Sequence, residues 1–183
     1  MRLVLLALLA GLAGCETSQP PSPSAVAQNW ICGIEYVNHA WGYQRRGLVI
    51  DAQGKVLRHD VRADGKPAAG RWMPADVTRM SAQELAPRYE GARDTGRAVP
   101  VAEIAQHLPL IAEAARTKPD EARMTAADMG SWKTYCLLHD AASGAYAEVM
   151  LDERGDMTSA NPSPAARKLS AWVTRVVGPL DSP

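Results

Sequence analysis

Apolar residues alternate with polar ones in some stretches of this chain and recur at helical spacing in others, and the two periods predict different elements. Residues 29–37, NWICGIEYV, put Trp30, Cys32, Ile34 and Tyr36 on one parity and Ile31 and Val37 on the other. That predicts a first strand with Cys32 on its inner face. Residues 46–61 contain two β-rich runs, Leu48-Val49-Ile50 and Lys55-Val56-Leu57, around Asp51-Ala52-Gln53-Gly54. A short turn ending in glycine, which can take φ > 0, predicts a β-hairpin. Residues 62–80 carry Gly65, Pro67, Gly70 and Pro74 and read as loop, with Trp72 as an anchor onto the core. Ser81 and Glu84 form a capping box, so a short helix should follow until Pro87 interrupts it.

Residues 100–117 carry Val101, Ile104, Leu108, Ile111 and Ala115 at helical spacing, with Pro100 in the first turn and Pro109 inside, where a kink or break is expected. A polar loop over 118–129 follows. Residues 131–156 repeat the hairpin pattern: a strand over 132–138, a turn over 139–144, a strand over 145–151 and a further turn at Asp152-Glu153-Arg154-Gly155. Ser163 as cap and Pro164 in the first turn start a last helix. Its buried face is Ala165, Ala166, Leu169, Trp172, Val173, Val176 and Val177, and Gly178-Pro179 ends it. This order predicts an α+β fold. It consists of an antiparallel sheet of four to six strands in two hairpins, a helical insert, and a C-terminal helix packed on one face.

Composition narrows the function classes. The chain has 183 residues, 20 basic and 20 acidic, with five Trp, five Tyr and no Phe. It lacks the basic excess that nucleic-acid binding needs, and the pair Arg45-Arg46 reads as a solvated turn. The tryptophans Trp30, Trp41, Trp72, Trp132 and Trp172 read as core pieces in a chain without Phe.

The amino terminus has its own pattern. Arg2 precedes the apolar run Leu3-Val4-Leu5-Leu6-Ala7-Leu8-Leu9-Ala10, and small residues follow. This is the layout of a secretory signal peptide, too short for a span of roughly 20 residues. Leu12-Ala13-Gly14-Cys15 resembles the lipobox of bacterial lipoproteins at all four positions. The resemblance implies that residues 1–14 are removed and that Cys15 begins the mature protein carrying three acyl chains. Because Glu16 rather than Asp follows, it also implies the outer membrane, facing the periplasm. Removal leaves 183 − 14 = 169 residues. Residues 15–28 contain Pro and Ser and no large core residue, and read as a tether; residues 29–183 read as one globular domain. The closing pattern N-P-S-P-A-A with a Trp-containing helix resembles uncharacterised bacterial lipoproteins and brings no activity with it.

With Cys15 assigned to lipid, Cys32 and Cys136 remain as an even pair. Export to an oxidising compartment favours a disulfide between them; two buried thiols, a redox pair or a zinc site are the alternatives. No C-x-x-C and no usual zinc-ligand spacing occurs.

A search for catalytic patterns finds no G-x-S-x-G, S-x-x-K, H-E-x-x-H or phosphate-binding loop, and no cofactor is implied. The histidines are His39, His59, His107 and His139. His59-Asp60 and His139-Asp140 could suggest paired acid–base sites, but neighbours in a strand face opposite ways. Both pairs read as polar residues entering turns, and His107 as half exposed beside its helix's apolar stripe. Asp51, Asp60, Asp152, Glu153 and Asp156 read as turn carboxylates. The expectation is a membrane-anchored lipoprotein with a periplasmic partner-binding domain; the alternatives are an envelope hydrolase with a dispersed site and an inhibitor of a cell-wall enzyme.

Overall fold

A computed structural model describes residues 28–40, 44–62 and 79–178. The lipobox stretch with Cys15, most of the tether, Trp41, Trp72 and Pro179 lie outside the described residues. Gln28, assigned by sequence to the end of the tether, already belongs to the domain. It is buried, and its amide donates to the carbonyl of Leu137 at 2.9 Å.

The first strand, β1 (Trp30–Asn38), is the middle of the sheet. The hairpin β2 (Gln44–Asp51) and β3 (Lys55–Arg62) pairs along one side of it, and β7 (Ser131–Asp140) along the other. In the turn of the first hairpin, Asp51 accepts from the backbone N–H groups of Gln53 and Lys55, and Gly54 takes φ of 83°. The strand β8 (Ala145–Gly155) pairs with β7. Its outer side carries β4 (Met80–Ser81) at one end and β9 (Met157–Ala160) at the other. Beyond β3 lies β5 (Arg93–Ala98), and beyond β9 lies β6 (Arg123–Met124). All pairings are antiparallel, so the described residues form a nine-stranded sheet rather than one of four to six. The additional strands are short or fully exposed and carry no apolar alternation: β5 reads RDTGRA and is exposed throughout. Backbone pairing to a longer neighbour, not a hydrophobic face, makes them strands. Likewise β8 continues through Asp152 and Glu153 to Gly155, where the sequence suggested a turn.

Helices cover both faces. The helix α2 (Val101–Ala114) and the helix α3 (Pro164–Val177) lie on one face, over Cys32, Leu48, Ile50, Val56, Cys136, Val149 and Leu151. The Ser163 hydroxyl caps α3 by accepting from the Ala166 N–H. Pro109 lies inside α2 without ending it, and Ile104 and Ile111, on either side of it, are buried in the core shared with α3. On the other face, α1 (Ala82–Leu85) starts from the Ser81–Glu84 capping box and passes at Pro87 into a turn of 3₁₀ helix over Ala86–Tyr89. Leu85 and Tyr89 pack there on Val49, Tyr135, Leu137 and Tyr146. The expectation of helices on one face therefore holds for α2 and α3 only. A bulge near the start of β1 sends Ile31 and Cys32 to the first core and Trp30 to the second, so Trp30 and Cys32 do not share a face.

Cys32 and Cys136 are register partners on β1 and β7, with Cα atoms 3.9 Å apart, and they form a disulfide. The bond spans 104 residues. Reducing it, or replacing both cysteines with alanine, is expected to lower the unfolding free energy by roughly 4–5 kcal/mol on the chain-entropy account. Urea unfolding with and without reductant measures this, and coincident midpoints would contradict it.

Candidate functional site

Residues directly opposite one another on paired antiparallel strands point to the same face. On the face away from α2 and α3 this places His59, Gly47, Glu35, Lys133, Glu153 and Ser159 in one row across β3, β2, β1, β7, β8 and β9. Four of the six are ionisable. The row is closed at its His59–Glu35 end and open at its Lys133–Glu153 end.

At the closed end the carboxylate of Glu35, 1 % exposed, is fully occupied. Arg45 donates to it through Nε at 2.8 Å and Nη2 at 2.6 Å, and Arg88 through Nη2 at 2.7 Å. Arg88 also donates to Glu148 at 2.7 Å and lies over the Tyr135 ring, 4.4 Å from its centroid. The Tyr89 and Tyr135 hydroxyls share a hydrogen bond of 2.9 Å. Local sequence explains the placement. The capping box and Pro87 set the 3₁₀ turn, which carries Arg88 and Tyr89, both buried, onto the sheet. Gly47 lies between His59 and Glu35 in the row because a Cβ there would meet the Ile34 carbonyl oxygen at 2.3 Å and the Glu35 Cα at 2.8 Å.

Burial alone would raise the Glu35 carboxyl, but Arg45 and Arg88 outweigh it and hold the group at about 2, below the ordinary 4.5. His59 is 1 % exposed, sits edge-on to Tyr89, and has no hydrogen-bond partner for either ring nitrogen among the described residues. Burial is the main cause that lowers it from 6.5 to about 4; Glu35 pulls the other way, and Arg45 and Arg88 add to the fall. Burial also raises Tyr89 to about 12. At neutral pH the closed end thus holds two guanidinium cations on the Glu35 carboxylate, a neutral imidazole and two neutral phenols.

At the open end, Lys133 Nζ faces Glu153 Oε1 at 3.7 Å, with side chains 26 % and 12 % exposed. Both line a cleft of about 460 Å³ together with Val37, Ala40, Ser131 and Met157. Asp156 stands at its edge and accepts from the backbone N–H groups of Met129 and Gly130.

The residues singled out by sequence are scattered. His39 lines the cleft. His107 stacks on Trp172, ring centroids 4.1 Å apart, and His139 packs on Tyr146. His59 does not enter a turn; it is buried inside β3, while Asp60 beside it is exposed, so the two diverge as alternation requires. Arg45 is not part of a solvated turn but is buried in β2, and Arg46 lies over the Tyr36 ring. Trp172 is core, whereas Trp30 and Trp132 are half-buried against Tyr89 and Tyr36. Glu35, Arg88, Lys133 and Glu148 were not anticipated. One signal did exist: Glu35 is the acid of a strand with apolar residues on both parities, which implies burial on both faces and a partner cation. No group of three or more His, Cys, Asp or Glu side chains suited to a metal ion occurs among the described residues.

No protein-family model, curated protein or solved structure matches this chain.

Both buried groups make the fold acid-sensitive. The unfolded chain binds a proton at His59 that the folded chain refuses, so stability is expected to fall by on the order of 3 kcal/mol as pH drops from about 6.5 to about 4. Stability gained from Glu35 is lost separately below about 4.5, as pH falls toward 2. Denaturant melts at stepped pH should show the first loss flattened in His59→Leu; equal slopes for the two proteins would contradict this. At neutral pH, Glu35→Gln is expected to cost about 3–5 kcal/mol, because it removes the carboxylate that two buried guanidiniums face.

Proposed function

We propose that this chain is a lipid-anchored protein of the bacterial outer membrane, facing the periplasm, whose α+β domain binds a partner molecule in the Lys133–Glu153 cleft. The single observation that carries the binding reading is the contrast between the two ends of the charged row. Around Glu35 the carboxylate, the guanidiniums and the tyrosine hydroxyls pair with one another away from water. At Lys133–Glu153 the charges face a cleft, at a separation longer than a hydrogen bond. At the closed end the Glu35 carboxyl, held near 2, has no proton to donate near neutral pH and its oxygens are already engaged by arginine, so that end is read as structural.

The anchoring reading is supported by the four-residue match Leu12-Ala13-Gly14-Cys15. It is also supported by the Cys32–Cys136 bond, since disulfides persist in oxidising compartments such as the periplasm. Three acyl chains, at roughly 0.8 kcal/mol per buried methylene, would hold the protein to the bilayer. Among the described residues no helix is long and apolar enough to cross a membrane.

Cys15→Ala is expected to move the protein from the membrane to the soluble periplasmic fraction, and intact-mass analysis of the extracted wild type should show an acylated Cys15. An unmodified Cys15 would end the anchoring reading. For binding, amide exchange with solubilised envelope added should slow at residues 131–133 and 153–157, and the gain should vanish in a Lys133→Ala/Glu153→Ala double variant. Protection confined to other regions would end the cleft reading.

A further inference from the structure

Lys133 and Glu153 are register partners on β7 and β8, and their charged groups come no closer than 3.7 Å. Neither group makes a hydrogen bond within the described residues, unlike the contacts of 2.6–2.8 Å around Glu35. Both side chains are largely withdrawn from water, at 26 % and 12 % exposure. Ammonium donors and carboxylate acceptors withdrawn in this way gain most from a ligand that supplies the missing hydrogen bonds. A ligand of one sign would complete one group and be repelled by the other. A ligand carrying both signs completes both.

The surroundings restrict which group takes which end. Each oxygen of Asp156 already accepts one backbone N–H, at 2.9 and 2.7 Å, whereas the Glu153 carboxylate accepts no hydrogen bond within the described residues and has the greater capacity for a ligand ammonium. The Ser131 hydroxyl oxygen accepts from the Met157 N–H at 3.1 Å, so its own hydrogen remains to donate, beside Lys133, to a ligand carboxylate. The rest of the wall is His39, Gly130 and the apolar Val37, Ala40 and Met157, which suit a short aliphatic side chain. A volume of about 460 Å³ lies in the range of small-ligand sites.

We propose that this cleft binds a small zwitterion, a free amino acid or dipeptide, with its ammonium on Glu153 and its carboxylate on Lys133 and Ser131. The assignment rests on the reading of the cleft as a binding site and names what that site takes.

The test uses the full chain carrying Cys15→Ala, isolated from the soluble periplasmic fraction, and calorimetric titration with four probes. These are alanyl-alanine, N-acetyl-alanyl-alanine with a free carboxylate, alanyl-alanine amide with a free ammonium, and the doubly capped dipeptide. Alanyl-alanine should bind, each singly charged analogue at least tenfold more weakly, and the doubly capped dipeptide most weakly. Lys133→Met and Glu153→Gln should each weaken alanyl-alanine at least tenfold. The probe series on unaltered Lys133 and Glu153 decides the matter even if a variant fails to fold. Equal binding of the doubly capped dipeptide would overturn the zwitterion while leaving the cleft as a binding site. Silence from all four probes at millimolar concentration would also overturn it, with the cleft itself then judged by the exchange experiment. Undiminished binding to both variants would overturn it by placing the ligand elsewhere.

Discussion

A carboxylate taken out of water must be met by cations, and in this protein that requirement is imposed by Glu35. Its burial in the central strand would be prohibitive for an isolated charge. The structure meets it with Arg45 from the neighbouring strand and Arg88 from the 3₁₀ turn, and Arg88 in turn reaches Glu148 on β8. One acidic side chain thereby ties β1, β2, β8 and the segment that roofs them. Gly47 belongs to the same arrangement, since a side chain there would strike the backbone at Ile34 and Glu35. Ion pairs of this kind are weak sources of net stability, but removing one member is costly. The cluster therefore acts more as a specification of how the turn docks than as a stabiliser.

The opposite face is held by different means. There the Cys32–Cys136 bond joins adjacent central strands beneath α2 and α3, and the surrounding side chains are apolar. The two helices are further joined at the surface, where Glu103 on α2 accepts from Trp172 Nε1 at 2.8 Å and from Arg175 at 2.6 Å on α3. The sheet thus has a dry, covalently fixed face and a charged, ion-paired face. The second runs out into a cleft where pairing becomes incomplete. Contacts lengthen from 2.6 Å at Glu35 to 3.7 Å at Lys133–Glu153.

Much of the local structure was legible in the residues. The strand in NWICGIEYV, the Asp-Ala-Gln-Gly turn, the Ser81–Glu84 capping box, the interruption at Pro87 and the Ser163-Pro164 start of α3 all appear where short-range chemistry puts them. The candidate site was far less legible. In the sequence His59 reads as a strand-end residue and Arg45 as a solvated one, and Glu35 is marked only by the apolar residues on both parities of its strand. Their roles depend on which residues stand opposite them in the sheet, and register between distant strands is not written in any one segment.

What the sequence determined by itself were the features that depend on neighbours a few residues away: caps, turns, helix faces, the positions of the longer strands, and the lipobox match with the even pair of cysteines it leaves. What only the tertiary structure decided was how those pieces share surfaces. It extended the sheet with strands that have no apolar pattern, because their stability comes from backbone hydrogen bonds to a neighbour. It buried one helical turn on the second face, because Tyr89 and Leu85 find Tyr135 and Leu137 there. It also assembled Glu35, Arg45, Arg88 and His59, residues 53 positions apart between Glu35 and Arg88, into one centre. Desolvated charge acts over a few ångströms in space, and only the folded register brings those side chains within that range.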